Sequence, residues 1–235
     1  MKMNDAAAVA RQYADEGNLE ARRSIYDRQE GVDPRETAFT AIAEARPRRI
    51  LEVGGGPGEL AARLAGELVA EVVMVDLSAR MVELARRRGV DARIGDVQDL
   101  PFPEGSFDVA VAAWMLYHVP DLDRGLRELA RVLRPGGRLV AVTNGADHLR
   151  EIRRLARGAM WEQVFRAEEA GSILERHFSR VERRDAPGWV TIDDEQVLRD
   201  YVASLQSDGP AELESFALPL RVRRRSSVYV AEKAA

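Results

Sequence analysis

The stretch Ile-Leu-Glu-Val-Gly-Gly-Gly-Pro-Gly-Glu-Leu, residues 50–60, decides the fold of this chain. It predicts a short buried strand, a glycine-packed turn and then a helix. Gly54, Gly56 and Gly58 lack Cβ atoms where the chain must bend tightly and where ligand atoms can approach the backbone. Glu52 adds a carboxylate at the end of the strand. The segment therefore predicts an α/β fold with a nucleotide-like ligand at this turn.

The spacing of the glycines separates two classes of ligand. A dinucleotide fingerprint that starts at Gly54 would need glycine at position 59, where this chain has Glu59. A carboxylate there would repel a pyrophosphate. Together with the absence of a lysine near the turn, Glu59 argues against a nicotinamide-dependent dehydrogenase.

Two further acids follow the next two predicted strands. Residues 71–76 form an apolar strand that ends in Asp76, about 20 residues after the first glycine, where an acid can accept both hydroxyls of a ribose. Asp96 follows a third strand. With Glu52, these acids fall at the carboxyl ends of three successive strands, which is where open α/β sheets bind ligands.

The other predicted elements follow from periodicity and capping signals. A nearly all-apolar strand ends in Ala112-Ala113-Trp114, as expected of a central parallel strand. The remaining predictions are helices over 5–16, 18–30, 79–88, 126–133 and 194–204, a helix opened by Asp33-Pro34, a helical face over 146–180, and strands over 138–143, 181–192 and 220–230.

The pattern Glu-x-Gly-x-Gly-x-Gly resembles motif I of the class I S-adenosylmethionine (SAM) methyltransferases. Residues 49–143 closely resemble the methyltransferase type 11 group, which includes the quinone C-methylases. The resemblance implies a Rossmann-like, seven-stranded, doubly wound sheet with a reversed last strand and a helical lid. We expect one domain with the following parts: an N-terminal helical cover (1–45), a SAM-binding core (46–143), a lid insertion (144–180), and C-terminal strands and helix (181–235).

The resemblance also implies the cofactor, SAM, with S-adenosylhomocysteine as product. Asp96 would accept from the adenine amine, Tyr13 would lie across the cofactor entrance, and Arg22 would pair with the cofactor carboxylate. For Tyr13 and Arg22 the alternative is a place on a helix surface. The full set of implied cofactor-binding residues is Tyr13, Arg22, Glu52, Gly54, Gly56, Gly58, Asp76, Leu77, Asp96, Val97 and Ala113.

The acceptor atom determines whether a base is needed. An alcohol or phenol must lose a proton, an amine need only be neutral, and a carboxylate needs nothing. His118, in the loop after the fourth core strand, is the first candidate base and His148 the weaker second. Alternatively, His118 only packs the turn before Pro120. The large side chains that could line an acceptor cavity are Trp114, Tyr117, Met160, Trp161 and Trp189.

Composition narrows the partners. A net charge of −4 gives no general attraction to nucleic acid or anionic lipid, and we expect the clusters Arg86–Arg88 and Arg223–Arg225 to be solvated faces. The chain has no cysteine, which excludes thiol chemistry and thiolate metal sites. Ala112-Ala113 stand where methyltransferases of nucleic-acid bases carry a polar motif, so methylation of a nucleic-acid base is not expected. Metal-dependent catechol methyltransferases need oxygen ligands near the same strand end, so we also expect no metal. No apolar run is long enough to span a membrane, which predicts a cytoplasmic protein without a membrane partner.

Two functions from different classes remain open. The first is SAM-dependent methyl transfer to the oxygen, nitrogen or carbon of a small organic molecule, such as a secondary metabolite or a quinone-like acceptor, by a monomer or homodimer. The second is a non-catalytic SAM-binding regulatory or scaffold protein. Tight SAM binding without turnover would distinguish the second from the first.

Overall fold

One mixed sheet with helices on both faces organises the structure, a computed structural model that describes residues 17–157, 164–205 and 212–235. Its described strands are β1 (Gln29–Gly31), β2 (Arg49–Val53), β3 (Glu71–Asp76), β4 (Asp91–Ile94), β5 (Phe107–Ala113), β6 (Leu133–Asn144), β7 (Ala156–Arg157), β8 (Arg180–Ile192), β9 (Glu212–Leu213) and β10 (Leu220–Glu232). Its described α-helices are α1 (Gly17–Ser24), α2 (Pro34–Glu44), α3 (Glu59–Glu67), α4 (Ala79–Arg87), α5 (Leu122–Val132), α6 (Arg150–Leu155), α7 (Ala170–Leu174) and α8 (Glu195–Leu205).

The sheet order confirms a doubly wound fold. Eight strands run in the order β1-β8-β10-β6-β5-β2-β3-β4. Strands β2 to β6 are mutually parallel, and β10, β8 and β1 continue the sheet in antiparallel pairs. The chain moves outward in one direction from β2 and in the other from β5. The carboxyl ends of these two strands therefore border a crevice at the switch point, the usual place for a ligand in this class of fold.

The sheet has one strand more than the seven predicted, because residues 29–31 are extended and not helical. The predicted helix over 18–30 is wrong in its second half: α1 ends at Ser24. The extra strand pairs with β8, and the Arg224 side chain donates to the Val32 carbonyl next to it, N to O 2.6 Å. Such contacts lie far along the chain, so local sequence preference does not reveal them.

Apolar layers on the two faces hold the helices against the sheet. Leu126 and Leu129 of α5 are buried in one layer, and Ala41 and Ile42 of α2 in the other. The central strand β5 contributes to both layers, which explains why its sequence is almost entirely apolar. In the described part of the chain, no helix combines the length and the apolar character needed to cross a bilayer.

The predicted helix starts are confirmed at two capping residues. Asp33 accepts a hydrogen bond from the Arg35 backbone N–H at 2.8 Å, and Pro34 occupies the first turn of α2. The Ser78 hydroxyl accepts from the Met81 N–H at 3.3 Å and begins α4. Both caps satisfy backbone donors that have no partner within the helix.

The chain after β6 departs from the predicted helical face over 146–180. Leu149 and Ile152 are buried as expected, but α6 ends at Leu155 and the chain becomes extended. There β7 pairs with β9, a partner more than fifty residues away, and this long-range pairing overrides the helical periodicity. Met160 and Trp161 lie outside the described residues. The two late strands and the helix between them are confirmed.

Candidate functional site

A cavity of about 1030 Å³ lies at the carboxyl edge of the parallel strands. The segments that follow β2, β3, β4, β5 and β6 all contribute to its wall, together with parts of α1, α2 and β10. The cavity therefore occupies the crevice that the strand order creates, and its size suits a cofactor with a second small molecule.

Within the glycine-rich turn, Gly56 leaves open space where a side chain would stand. Its φ is +57°, and the atom nearest to a Cβ built there is Leu19 Cδ2, at 3.9 Å. At Gly58 a Cβ would come within 2.6 Å of the Ala85 Cβ. Gly58 therefore allows α4 to pack against the turn and is not part of the cavity wall, whereas Gly54 and Gly56 line the cavity.

Glu52 places a buried carboxyl group beside this turn. It is 2% exposed, and burial raises the pKa of its carboxyl to about 8, against the opposing effect of a hydrogen bond from the Ala61 N–H. The nearby Asp76 carboxylate raises this pKa further. Among the residues that the structure describes, Glu52 Oε2 has no hydrogen-bond partner. Such an oxygen favours a cation or a hydrogen-bond donor next to it.

Asp76 and Asp96 extend the acidic wall along the neighbouring strands. The Asp76 carboxylate accepts from the Gly56 N–H at 3.0 Å and the Ser78 N–H at 2.8 Å. Burial raises the pKa of Asp76, and these two hydrogen bonds oppose the increase. The Asp96 carboxylate accepts from the Gln98 N–H at 2.8 Å. Both acids line the cavity, so the structure brings all three predicted acids into one wall.

Apolar side chains stand between these acids. Leu77 is 61% exposed although it lines the cavity, and Val97 and Ala113 form part of the same wall. An apolar side chain left this open beside two acids provides a surface that a flat ring could cover. The three predicted apolar contact residues therefore lie together at the acidic end.

Arg22 also lines the cavity, and its guanidinium contacts another helix. It donates to the Ser204 carbonyl, N to O 2.6 Å, and so joins α1 to α8. Tyr13, the other predicted cofactor contact from the N-terminal cover, lies outside the described residues.

His118 ends a short 3₁₀ turn, Leu116–His118, that follows β5 and borders the cavity. Its ring meets Tyr117 edge-on, with 4.6 Å between the ring centroids. Tyr117 and Trp114 line the cavity as predicted, but Trp189 is not in the wall. The Trp189 ring instead lies beneath the guanidinium of Arg221, at 4.7 Å.

His148 forms a polar cluster at the other end of the cavity. Its Nε2 lies 2.9 Å from the Tyr26 hydroxyl, and its Nδ1 lies 3.0 Å from both the backbone nitrogen and the carbonyl oxygen of Arg225. Burial lowers the pKa of His148 to about 3, and the nearby Arg153 and Arg224 lower it further. The imidazole is therefore neutral at physiological pH.

Sequence reasoning missed several residues at this end, among them Tyr26, Asn144 and Ser226. The Asn144 side-chain oxygen accepts from the Trp114 indole N–H at 3.2 Å and from the Ser226 hydroxyl at 2.8 Å. All of these residues line the cavity. They are brought together by pairing between distant strands and carry no local motif.

The prediction that Arg223–Arg225 form a solvated face is wrong for Arg224, which is 1% exposed and lines the cavity. Side chains alternate along a strand, so the middle arginine of three points to the opposite face from its neighbours. That alternation was the signal that could have identified it. Arg86–Arg88 are exposed as expected. No group of side chains that could hold a metal ion is found in the described ranges.

Comparison with known proteins finds relatives for the central segment of the chain. A family model described as a methyltransferase domain matches residues 51–141. A demethylmenaquinone methyltransferase of Thermus thermophilus is 40% identical over 115 residues, which are 46% of this chain and 52% of the relative. An O-methyltransferase of Penicillium expansum is 38% identical over 115 residues, covering 46% of this chain and 42% of the relative. The chain thus spans about half the length of the curated relatives it matches.

A solved structure supports the fold over the whole chain. It is a phosphoethanolamine N-methyltransferase of Haemonchus contortus, in complex with phosphomonomethylethanolamine and S-adenosylhomocysteine. It superposes with a TM-score of 0.64 at 18% identity and covers 100% of this chain and 61% of that one. The family model identifies residues 51–141 as a methyltransferase domain, and the superposition shows that the chain shares the fold of this solved structure.

Proposed function

We propose that this protein binds SAM at the acidic end of the cavity and catalyses methyl transfer to a small organic molecule at the other end. The observation that carries the proposal is the acidic wall, in which Glu52, Asp76 and Asp96 lie at the carboxyl ends of three adjacent parallel strands around the opening at Gly56. This wall provides hydrogen-bond acceptors for hydroxyl and amino groups and attracts positive charge.

The residues at this end fit the cofactor. Asp76 keeps acceptor capacity for ribose hydroxyls, because a carboxylate can accept more than the two backbone bonds it already receives. Asp96 would accept from the adenine amine, and Leu77, Val97 and Ala113 would flank the ring. The proposal places the amino-acid part of SAM against Gly54, Gly56 and Glu52, with the Arg22 guanidinium for its carboxylate. Gly58 supports the turn from behind.

Glu52 links cofactor binding to a proton. With a pKa of about 8, its carboxyl is mostly protonated at neutral pH when the site holds no cation. A positively charged group beside it favours the ionised form, so cation binding and loss of this proton are coupled. SAM, when bound, supplies a methyl group on a sulfonium that is already an activated leaving group. The protein then has to align the acceptor and exclude water, which can contribute about 7 to 11 kcal/mol.

His118 remains the first candidate for a base, since it borders the cavity in the loop after β5. His148 is a weaker candidate, because an imidazole with a pKa of about 3 accepts a proton poorly at neutral pH. We assign His148 instead to holding Tyr26. If the acceptor is an alcohol or phenol, replacing His118 with Asn should reduce turnover about 10²- to 10⁴-fold and leave SAM affinity unchanged.

The choice of a small-molecule acceptor is supported by a cavity of about 1030 Å³, which is the size of ordinary ligand sites. The relatives include a demethylmenaquinone methyltransferase and an O-methyltransferase, which keeps both carbon and oxygen acceptors open. The net charge of −4 favours a small-molecule partner over nucleic acid or a membrane surface. We also propose that the protein acts in the cytoplasm.

A methyl-transfer screen tests the proposal. The purified protein is incubated with SAM and separate sets of phenols, quinones and amines, and S-adenosylhomocysteine and methylated product are measured by mass spectrometry. The enzymatic function is supported if the native protein forms methylated product and Asp76→Ala forms at least tenfold less product at limiting SAM. SAM binding without product from any set would favour the regulatory or scaffold function.

A further inference from the structure

Arg224 is a cation buried in the cavity wall without an anionic partner. It is 1% exposed, and its Nη2 donates to the Val32 carbonyl at 2.6 Å. Among the described residues, Nε and Nη1 have no hydrogen-bond partner. Holding β1 to the sheet therefore uses one of three nitrogens and does not explain the other two. A buried charge is costly unless it is paired, so these nitrogens indicate a missing acceptor.

The acid whose charge favours the protonated guanidinium is already engaged in a helix cap. Asp33 raises the pKa of Arg224 by its charge, although burial lowers it more. The Asp33 carboxylate caps α2 by accepting from the Arg35 N–H, and it makes no ion pair with Arg224 within the described part of the chain. Its charge offsets part of the cost of burying Arg224 but leaves the hydrogen bonds of the guanidinium unsatisfied.

Two other guanidinium groups stand at the same end of the cavity. Arg153 donates to the carbonyls of Ala146 and His148, and Arg35 also lines the cavity. Neither Arg35 nor Arg153 has a carboxylate at ion-pair distance among the described residues. Arg153 and Arg224 both lower the pKa of His148, and Arg35 and Arg224 both lower the pKa of Tyr26. The three guanidinium groups therefore surround the same two side chains. This end of the cavity is therefore positive, in contrast to the acidic wall.

We propose that Arg224 and Arg153 bind an oxyanion of the methyl acceptor, either a carboxylate or a phosphate. A guanidinium presents a planar set of donors that matches both groups. The inference rests on the proposed function and names the class of acceptor: a small molecule that carries an anionic group apart from the atom to be methylated.

Calorimetric titration with simple probes tests the site. The protein, first saturated with S-adenosylhomocysteine, is titrated with benzoate, phenyl phosphate and the uncharged benzamide. We expect benzoate or phenyl phosphate to bind at least tenfold more tightly than benzamide, and the tighter of the two identifies a carboxylate or phosphate acceptor. Equal binding of all three probes, or binding of none, would overturn the proposal.

Variants identify the groups responsible. Arg224→Gln should reduce affinity for the preferred anion at least tenfold, and the exposed Arg153→Gln should reduce it by a smaller factor. Arg221→Gln is the matched control, because this arginine lies on the same strand with its side chain 55% exposed and pairs with Glu30. Circular dichroism verifies folding, and if Arg224→Gln does not fold, Arg153→Gln alone decides. Unchanged anion affinity in the folded variants would overturn the assignment.

The same titrations separate the two proposals. Binding of S-adenosylhomocysteine without any preference for the anionic probes would overturn the oxyanion site and leave the proposed function intact. If S-adenosylhomocysteine does not bind, the proposed function fails, and the probes are titrated into the protein alone. An anion preference that is lost in Arg153→Gln and Arg224→Gln would still support the oxyanion site.

Discussion

The two ends of the cavity are built in opposite ways. The acidic end comes from Glu52, Asp76 and Asp96, which lie at the carboxyl ends of three strands within 45 consecutive residues of sequence. The basic end joins residues far apart: Tyr26 meets His148 across 122 positions, and Arg224 reaches Val32 across 192. The first end is thus local in sequence, whereas the second exists only after the antiparallel strands β1, β8 and β10 have paired.

Burial has the same effect at both ends on groups of opposite charge. It raises the pKa of Glu52 to about 8 and lowers the pKa of His148 to about 3, so that each is largely neutral near pH 7. The charges that remain come from Asp76 and Asp96 at one end and from arginines at the other. The proposed site would hold a cationic ligand at one end and an anionic ligand at the other, and the following predictions test each end.

The largest expected effect is loss of cofactor binding in Gly56→Arg. The open space beside Gly56 would be filled by a long cationic side chain, which also repels a sulfonium. We expect SAM affinity to fall below detection in a calorimetric titration. Gly66→Arg is the matched control, since a side chain at Gly66 of α3 would meet nothing within 4 Å. SAM affinity of Gly56→Arg within threefold of the native value would contradict the position of the site.

Glu52→Gln should change the pH dependence of stability. The carboxyl pKa is raised from 4.5 to about 8 in the folded state, so the native protein loses stability relative to the variant as pH rises through this range. The full difference is on the order of 5 kcal/mol. The measurement is the free energy of unfolding in guanidinium chloride, without ligand, between pH 5 and pH 9. Parallel curves for the two proteins would refute the burial of an ionisable group at this end.

Asp76→Ala should weaken SAM binding roughly 10- to 150-fold, because hydrogen bonds with a charged partner contribute about 1.5 to 3 kcal/mol. The same carboxylate also accepts from the Gly56 N–H, so part of the loss will come from disorder of the turn. Asp76→Asn, which can still accept, should lose less and serves as the comparison. An affinity that does not change in Asp76→Ala would remove the assigned ribose contact.

The smallest effect is expected at the basic end, where Tyr26 and His148 share one neutral hydrogen bond. A double-mutant cycle with Tyr26→Phe and His148→Leu should give a coupling of about 1 kcal/mol in the free energy of unfolding. A second cycle with Tyr26→Phe and Val69→Ala is the control, since Val69 is fully exposed. In this cycle the two changes in the free energy of unfolding should add. Additive effects in the first cycle would mean that the contact does not stabilise the fold.

The same contrast explains what could be predicted from sequence. Strand ends that carry Glu52 and Asp76 were predictable, because parallel strands present their carboxyl ends at one edge and glycine spacing marks the turn. The caps at Asp33 and Ser78 were predictable because capping is local. The strand at 29–31 was not, since its structure depends on pairing with β8.

Arg224 shows the limit most clearly. A run of three arginines normally indicates a solvated surface, and only the strand register reveals that the middle one is buried. The partners of His148 were equally hidden, because Tyr26 belongs to a segment that was predicted to be helical. The basic end of the cavity is built from such long-range contacts, so it could not be predicted from the sequence.

Titration of the purified protein with SAM, S-adenosylhomocysteine and NAD tests the central claim most directly. The acidic wall predicts micromolar binding of SAM and S-adenosylhomocysteine, with the Asp76 and Asp96 carboxylates rejecting the pyrophosphate of NAD. Tight binding of NAD, or no binding of either SAM or S-adenosylhomocysteine, would contradict the assignment of the acidic end to the methyl donor.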